Sequence, residues 1–283
     1  NSLAYRRNMT LGISDGLHEM IESLETMSVE PLAPLSILGG VWETLYTSLS
    51  LAPVTTLQAL TFNRLPVLYT SPTAPRPPQV DKDACRVRVL SMLQVIDLEE
   101  GGYVNLVVFE HEERRSADDL LGVSITRGSF EIKLDEEQTK NVATAQDSHD
   151  VFAVCMMGPI RLDVEFHSVK VVPIPYTSLP PRQGLHALAL GALVEDDSAT
   201  GSTVSMQDKD TFKRRLGLST TEHLLEATLK HKLNSHSNVT FMSAPTGASV
   251  HAESLALRVM RGGAGGLYVL VKCPEPTSKK NVT

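Results

Sequence analysis

The chain has 283 residues, of which 42% are hydrophobic and only 5% aromatic, and its formal net charge at pH 7 is −7. This length suits one large β-rich domain or two ordinary domains, and the low aromatic content predicts a core of aliphatic side chains. The net acidity argues against a dedicated nucleic-acid-binding protein, and no apolar run reaches the roughly 18 residues of a membrane-spanning helix.

The N-terminal part, residues 1–69, is predicted to be a helical segment. Ser14 is a suitable N-cap, and apolar residues then recur with helical spacing up to Met27. A second apolar stretch, with Val41, Trp42, Leu45 and Leu49, is also predicted to be a helix. We expect both helices to pack on the core.

Residues 70–80 form a proline-rich linker, because the run TSPTAPRPPQ favours an extended, polyproline-like backbone. Within it, Pro72, Thr73, Ala74 and Pro75 resemble the PTAP late-domain motif, by which viral structural proteins recruit the host budding machinery. The alternative is an ordinary proline-rich linker without a binding role.

Residues 81–175 are predicted to be a β-rich domain, because apolar and polar residues alternate there with the period of a strand. A hairpin is predicted at the turn from Glu99 to Gly102. The predicted strands lie at 85–96, 103–109, 122–125, 130–134, 151–156 and 162–173, and the last two are expected at the centre of the sheet.

Residues 185–283 are predicted to be a mixed β/α domain. Strands are expected at 185–197, 202–206, 239–242, 254–260 and 267–272, and Gly262–Gly266 reads as a flexible hairpin tip. Two helices are expected between them, the first capped by Asp210 and the second carrying Leu224, Leu225, Leu229 and Leu233. The predicted fold class is therefore α+β, mainly β, with β-sandwich-like domains and an N-terminal helical segment.

Charge is distributed unevenly along the chain. Residues 97–150 carry 14 acidic and 5 basic side chains, whereas residues 209–283 carry 11 basic and 5 acidic ones. An acidic middle and a basic C-terminal part could attract each other in neighbouring copies, or could turn a basic face towards phosphates. The plainer interpretation is two solvated faces.

No pattern of an enzyme active site is complete, so no catalytic, cofactor-binding or metal-binding residues are predicted. Gly262–Gly266 leads into a strand and lacks the lysine of a phosphate-binding loop, and His111 lacks the second histidine of a zinc-protease helix. Ser168 and Lys170 would form the nucleophile and base of a hydrolase in an alternative hypothesis, but on one strand they merely share a face.

The densest basic residues form a candidate contact patch for phosphates or lipid headgroups. Few aromatic side chains accompany them, so nucleic acid is not expected as a specific ligand, whereas a membrane surface is a candidate partner. The predicted patch consists of Lys213, Arg214, Arg215, Lys230, Lys232, Arg258 and Arg261.

The order of three stretches resembles the matrix proteins of non-segmented negative-strand RNA viruses: VEFHSVKVVP (164–173), LHALALGAL (185–193) and DKDTFKRRLGLS (208–219). The resemblance implies two β-rich domains, self-association during virion assembly, contacts with other virion proteins, and a location in the virion and the host cytoplasm. Matrix proteins are usually basic and bind acidic membranes, and this chain departs from them with a net charge of −7. An icosahedral capsid, clamp or protrusion protein that binds other shell proteins is therefore the alternative.

Overall fold

The computed structural model describes residues 14–27, 35–47, 67–70, 85–111, 120–134, 160–175, 190–191, 207, 210–212, 226–243, 256–263 and 266–273. The helical elements are α1 (Ser14–Met27) and a short 3₁₀ helix (Leu35–Leu38). The strands are β1 (Gly40–Thr47), β2 (Val67–Thr70), β3 (Cys85–Asp97), β4 (Gly102–His111), β5 (Leu120–Lys133), β6 (Ile160–Pro175), β7 (Glu226–Met242), β8 (Leu257–Gly262) and β9 (Leu267–Lys272).

The described strands belong to one sheet, in the order β1-β9-β8-β7-β6-β5-β4-β3-β2. Strand β1 pairs with β9 and also with β3, so that Trp42 lies opposite both Lys272 and Gln94. Because of this double pairing, β1 and β3–β9 form a closed antiparallel sheet that has an interior and an exterior face. The short β2 continues beside the first half of β3 as a parallel strand.

The interior is filled mainly by aliphatic side chains with a few large rings among them. Tyr103 on β4 and Phe166 on β6 meet edge to face with their ring centroids 6.0 Å apart, although their strands are not neighbours. This contact is made on the interior side of the sheet. The buried interior cluster comprises Leu38, Trp42, Ile96, Tyr103, Ile160, Leu162, Val164, Phe166, Val169, Val239, Met242, Ala256, Met260 and Leu270.

Parts of the exterior face are covered by helical residues. Ile21 of α1 is buried against Val259 and Leu267, on the opposite side of the sheet from the interior cluster. A second exterior cluster, centred on Leu93 and Leu106, packs against Leu190. Since the strands also bury one face against these covers, several of them are apolar on both faces.

The mainly β character of the fold is confirmed, and so is the hairpin between β3 and β4. The carboxylate of Asp97 accepts hydrogen bonds from the backbone N–H groups of Glu99 and Glu100 at 3.0 and 3.1 Å. Gly101 follows with φ of +64°, a conformation that glycine adopts without strain. The β-sandwich-like packing is not confirmed, because the described strands lie in one sheet.

Two of the predicted helices are wrong. The stretch around Trp42 is strand β1, in which Trp42 is fully buried and Leu45 is 44% exposed. The segment that includes Leu229 and Leu233 belongs to β7, which pairs with β6 on both sides of a register shift between Thr228 and Leu233. In both places pairing with distant strands outweighs a local helical spacing of apolar residues.

Smaller differences concern element boundaries. The two strands predicted at 122–125 and 130–134 are one strand, β5, whose register with β6 shifts at Arg127 and Gly128. Leu190 is helical rather than extended, and Asp210 lies within a helical turn that also includes Phe212. The predicted strands at 151–156 and 202–206 and the linker at 71–80 lie outside the described residues.

Strands from all three predicted folded units take part in the closed sheet. Strand β1 comes from residues 1–69, β3–β6 from residues 81–175, and β7–β9 from residues 185–283. The domain boundaries stay a prediction, but the described parts of these units share one hydrogen-bonded framework.

Candidate functional site

Arg258 on β8 is the charged side chain most deeply placed in the structure. It is fully buried at 0% exposure, and its backbone lies opposite Met242 and Leu270, which belong to the interior cluster. Its neighbour Val259 packs against α1 on the exterior. Strand alternation therefore turns the Arg258 side chain into the interior of the closed sheet.

The guanidinium of Arg258 spans the interior towards β1 and β3. Its central carbon lies 4.4 Å from the centroid of the Trp42 ring, and its Nη2 donates a hydrogen bond to the side-chain carbonyl of Gln94. Trp42 is held in turn by a 2.8 Å bond from its indole N–H to the Leu38 carbonyl. Stacking on Trp is a favourable setting for a desolvated cation.

Two nitrogens of the same guanidinium lack partners. Nε and Nη1 of Arg258 are buried, and neither donates a hydrogen bond within the structure described. The hydroxyl groups of Thr44 and Ser124, on interior-facing positions of β1 and β5, are also buried without a partner. The apolar interior therefore holds several buried polar groups without partners, which is costly unless something satisfies them.

Burial is the main cause of the pKa shifts of Arg258 and Tyr103. It lowers the pKa of Arg258 to about 10, and the neighbouring Tyr103 opposes that shift. Burial also raises the pKa of Tyr103 to about 12. At neutral pH the interior therefore holds a cationic Arg258 and a neutral Tyr103. Within the described part of the chain, no Asp or Glu forms an ion pair with this cation.

A second charged group joins α1 to the outside of the sheet. Arg261 donates from Nε and Nη2 to the two carboxylate oxygens of Glu25, at 2.8 and 2.6 Å. The Thr240 hydroxyl donates to the same carboxylate at 2.5 Å. The hydrogen bond from Arg261 is the main cause that lowers the pKa of Glu25. This arrangement anchors the helix.

A third charged group lies on the exposed surface of β5 and β6. Asp163 accepts contacts from Lys133 at 2.7 Å and from Arg161 at 2.6 Å, and these two hydrogen bonds lower the pKa of its carboxyl. Ion pairs this exposed contribute little to stability. These side chains give the surface of β5 and β6 both positive and negative charges.

The predicted basic patch is wrong at Arg258, because this residue points into the core and cannot contact an outside partner. Arg261 is at the surface, but its guanidinium is engaged by Glu25. Lys230 and Lys232 lie on β7, and residues 213–215 lie outside the described part. Of the two members whose side chains are described, Arg258 is therefore removed from the patch and Arg261 is paired within the protein.

Residues 72–75, the late-domain candidate, also lie outside the described part. Ser168 and Lys170 lie on β6, opposite Arg127 and Ile125 of β5. They are alternate residues of one strand, as expected for side chains that share a face. A group of His, Cys, Asp and Glu suited to a metal ion does not occur in the described ranges.

Sequence reasoning missed the interior group of Arg258, Trp42 and Gln94. The local signal was an arginine within the apolar run Ala256–Met260, at a strand position where the alternation required a core residue. The partners could not be found, because they lie more than 160 residues away.

None of the described helices is long and apolar enough to cross a membrane. Comparison of the chain with protein-family models, with curated proteins and with solved structures gave no match.

Proposed function

We propose that the chain is a non-enzymatic structural protein of a virion that acts by self-association, in the manner of a matrix protein. The observation that carries the proposal is the position of β2 at the end of the sheet order. In the described region β2 has one partner strand, β3, whereas each strand of the closed sheet has a partner strand on both sides over at least part of its length. An open strand edge presents backbone groups with which a second copy can pair.

The late-domain candidate supports the same proposal through its position in the chain. Strand β2 ends at Thr70, Pro72 follows two residues later, and β3 begins at Cys85. Because β2 and β3 are parallel, residues 71–84 must connect the far end of β2 to the beginning of β3. The motif is thus flanked in sequence by β2 and β3, and an assembled layer could present it to a host protein.

The charge distribution supports association between copies. With Arg258 buried and Arg261 paired, the basic residues left for an outside contact are Lys213, Arg214, Arg215, Lys230 and Lys232. A partner for them is the acidic segment 97–150 of a neighbouring copy, or an anionic membrane. The net charge of −7 favours the protein partner and keeps a capsid, clamp or protrusion protein as the second candidate.

Sedimentation velocity with and without anionic liposomes tests the proposal, at low and high salt. We expect concentration-dependent oligomers, and co-sedimentation that is lost in the double variant Arg214→Gln/Arg215→Gln but kept in Lys279→Gln/Lys280→Gln. Oligomers that form equally with and without liposomes, and that do not co-sediment with them, would favour the capsid alternative. A monomer under every condition would refute self-association.

The open edge is tested separately with Leu68→Pro. Proline removes a backbone donor from β2, so we expect weaker self-association, while the circular dichroism spectrum stays unchanged because β2 is outside the closed sheet. Ala74→Pro, in the proline-rich segment, is the matched control and should leave association intact. Equal association of both variants would show that β2 is not the contact.

A further inference from the structure

We propose that the interior of the closed sheet binds a small monocarboxylate, with its carboxylate on Arg258 and its apolar body among the interior side chains. The inference rests on the interior group around Arg258 and does not depend on the proposed assembly role. The ligand class follows from three features of this group: its free donors, its single charge and its apolar walls.

The free donors come from the guanidinium itself. Nε carries one N–H and Nη1 carries two, and these donors are buried without an acceptor, whereas Nη2 is engaged by Gln94. Burying a cation with unsatisfied donors costs several kcal/mol unless an anion or another acceptor compensates it. Arginine is especially suited to binding carboxylate oxygens.

The charge balance favours one negative charge. Lys272, the other cation near Trp42, lies with Nζ 6.0 Å from the ring centroid and already donates to the Ile37 carbonyl at 3.0 Å. A monocarboxylate would neutralise Arg258, whereas a phosphate dianion would leave a surplus negative charge in the core. The only other buried, unpartnered groups that we assign to the interior among the described residues are the neutral hydroxyls of Thr44 and Ser124, which add no charge.

The base of the Arg258 side chain lies between apolar neighbours, and its guanidinium stacks on Trp42. Leu270 and Met242 flank Arg258 on the neighbouring strands, and both are buried in the interior cluster. An apolar substituent on the carboxylate would therefore gain from contact with these walls. The interior of an eight-stranded closed sheet holds packed side chains or one small ligand, which limits the size of the molecule.

The partly exposed polar residues nearest to Arg258 lie on β3 and β4. Gln94 and Asn105 lie opposite each other in the same row as the buried Trp42, yet both are only half-buried. Part of the Gln94 side chain, which already bonds Arg258, is thus accessible to solvent. Polar side chains along the row suit the passage of a charged group.

Trp42 provides the readout, because it is the sole tryptophan of the chain and lies against the guanidinium. The experiment titrates the full chain with acetate, butyrate and hexanoate at constant ionic strength and follows Trp42 fluorescence, with calorimetry in parallel. We expect saturable binding that tightens with chain length. Chloride and phosphate at the same ionic strength should bind more weakly than hexanoate.

Variants identify the site. Arg258→Met should weaken hexanoate binding by about 10- to 100-fold, the range expected for losing hydrogen bonds to a charged group. Arg261→Met, on the same strand but at the surface, is the matched control and should bind as the unmodified chain does. Gln94→Glu should weaken binding and raise Tm, because it supplies an internal carboxylate beside Arg258.

Three results would overturn the inference. The first is the absence of a saturable signal from any of the carboxylates in both fluorescence and calorimetry. The second is equal affinity for hexanoate, chloride and phosphate, which would mean unspecific ion binding. The third is unchanged hexanoate affinity in Gln94→Glu, a variant of nearly the same shape that remains informative even where Arg258→Met does not fold.

Discussion

Gly128 shows how closely the backbone of β5 approaches its neighbour. A Cβ atom placed there would lie 2.4 Å from the Glu165 carbonyl oxygen and 3.1 Å from the Phe166 Cα. The register between β5 and β6 shifts at this position, between Arg127 and Gly128. The bulge brings two strands together where only a residue without a side chain fits.

Gly128→Ala is therefore expected to destabilise the protein by about 1–3 kcal/mol, since the clash is with backbone and cannot be relieved by a rotamer change. The denaturant midpoint measures the change. Gly16→Ala is the control: no heavy atom lies within 4 Å of its Cβ position, and in helix α1 it should stabilise by up to about 1 kcal/mol. Equal midpoints for Gly128→Ala and the unmodified chain would contradict the close approach.

At the scale of elements, helix α1 is joined to the sheet by one apolar anchor and one charged anchor. Ile21 is 2% exposed against Val259, and Glu25 is bound by Arg261 and Thr240. The side chain of Glu25 is 16% exposed, so its ion pair is better shielded from solvent than those around Asp163. We expect this contact to hold the C-terminal half of the helix.

Glu25→Gln should lower the free energy of unfolding by about 1 kcal/mol at neutral pH, because it removes the charge that Arg261 binds. The pKa of Glu25 is lowered by folding from its ordinary value of 4.5, so the stabilisation is complete above that value. It is lost as the pH falls through the lowered pKa. Urea unfolding at several pH values measures the difference.

The matched control for that series is Glu19→Gln, an exposed glutamate on the same helix. Its stability should differ little from that of the unmodified chain at any pH. A penalty for Glu25→Gln that persisted unchanged at acid pH would mean that the effect comes from packing and not from the ion pair.

Some elements were predictable from sequence because their signals are local. The hairpin at Asp97–Gly102 combines period-two alternation with an Asp turn and glycine, so sequence and structure agree there. The segments at Trp42 and Leu229 carry apolar residues at helical spacing, yet both belong to strands: β1 pairs with β3 and β9, and β7 pairs with β6. No local pattern contains that information.

At the scale of the whole molecule, the closed sheet depends on residues from opposite ends of the chain. Glu43 of β1 lies opposite Leu93 of β3 and Val271 of β9, so one short strand completes the ring. The interior site depends on the same closure, because Arg258 and Trp42 meet only when β8 and β1 share an interior. The sequence alone predicted separate folded units, so it predicted neither the closed sheet nor the interior site.

Closure also predicts how the protein unfolds. Because strands from residues 40–47, 85–175 and 226–272 pair in one framework, we expect Trp42 fluorescence and far-ultraviolet circular dichroism to report the same denaturant transition. Gly128→Ala, far from Trp42 in sequence, should shift both midpoints equally. Two separate transitions would instead show units that fold independently, and so would a Trp42 fluorescence midpoint that Gly128→Ala does not shift. Either result would support the domain division predicted from the sequence.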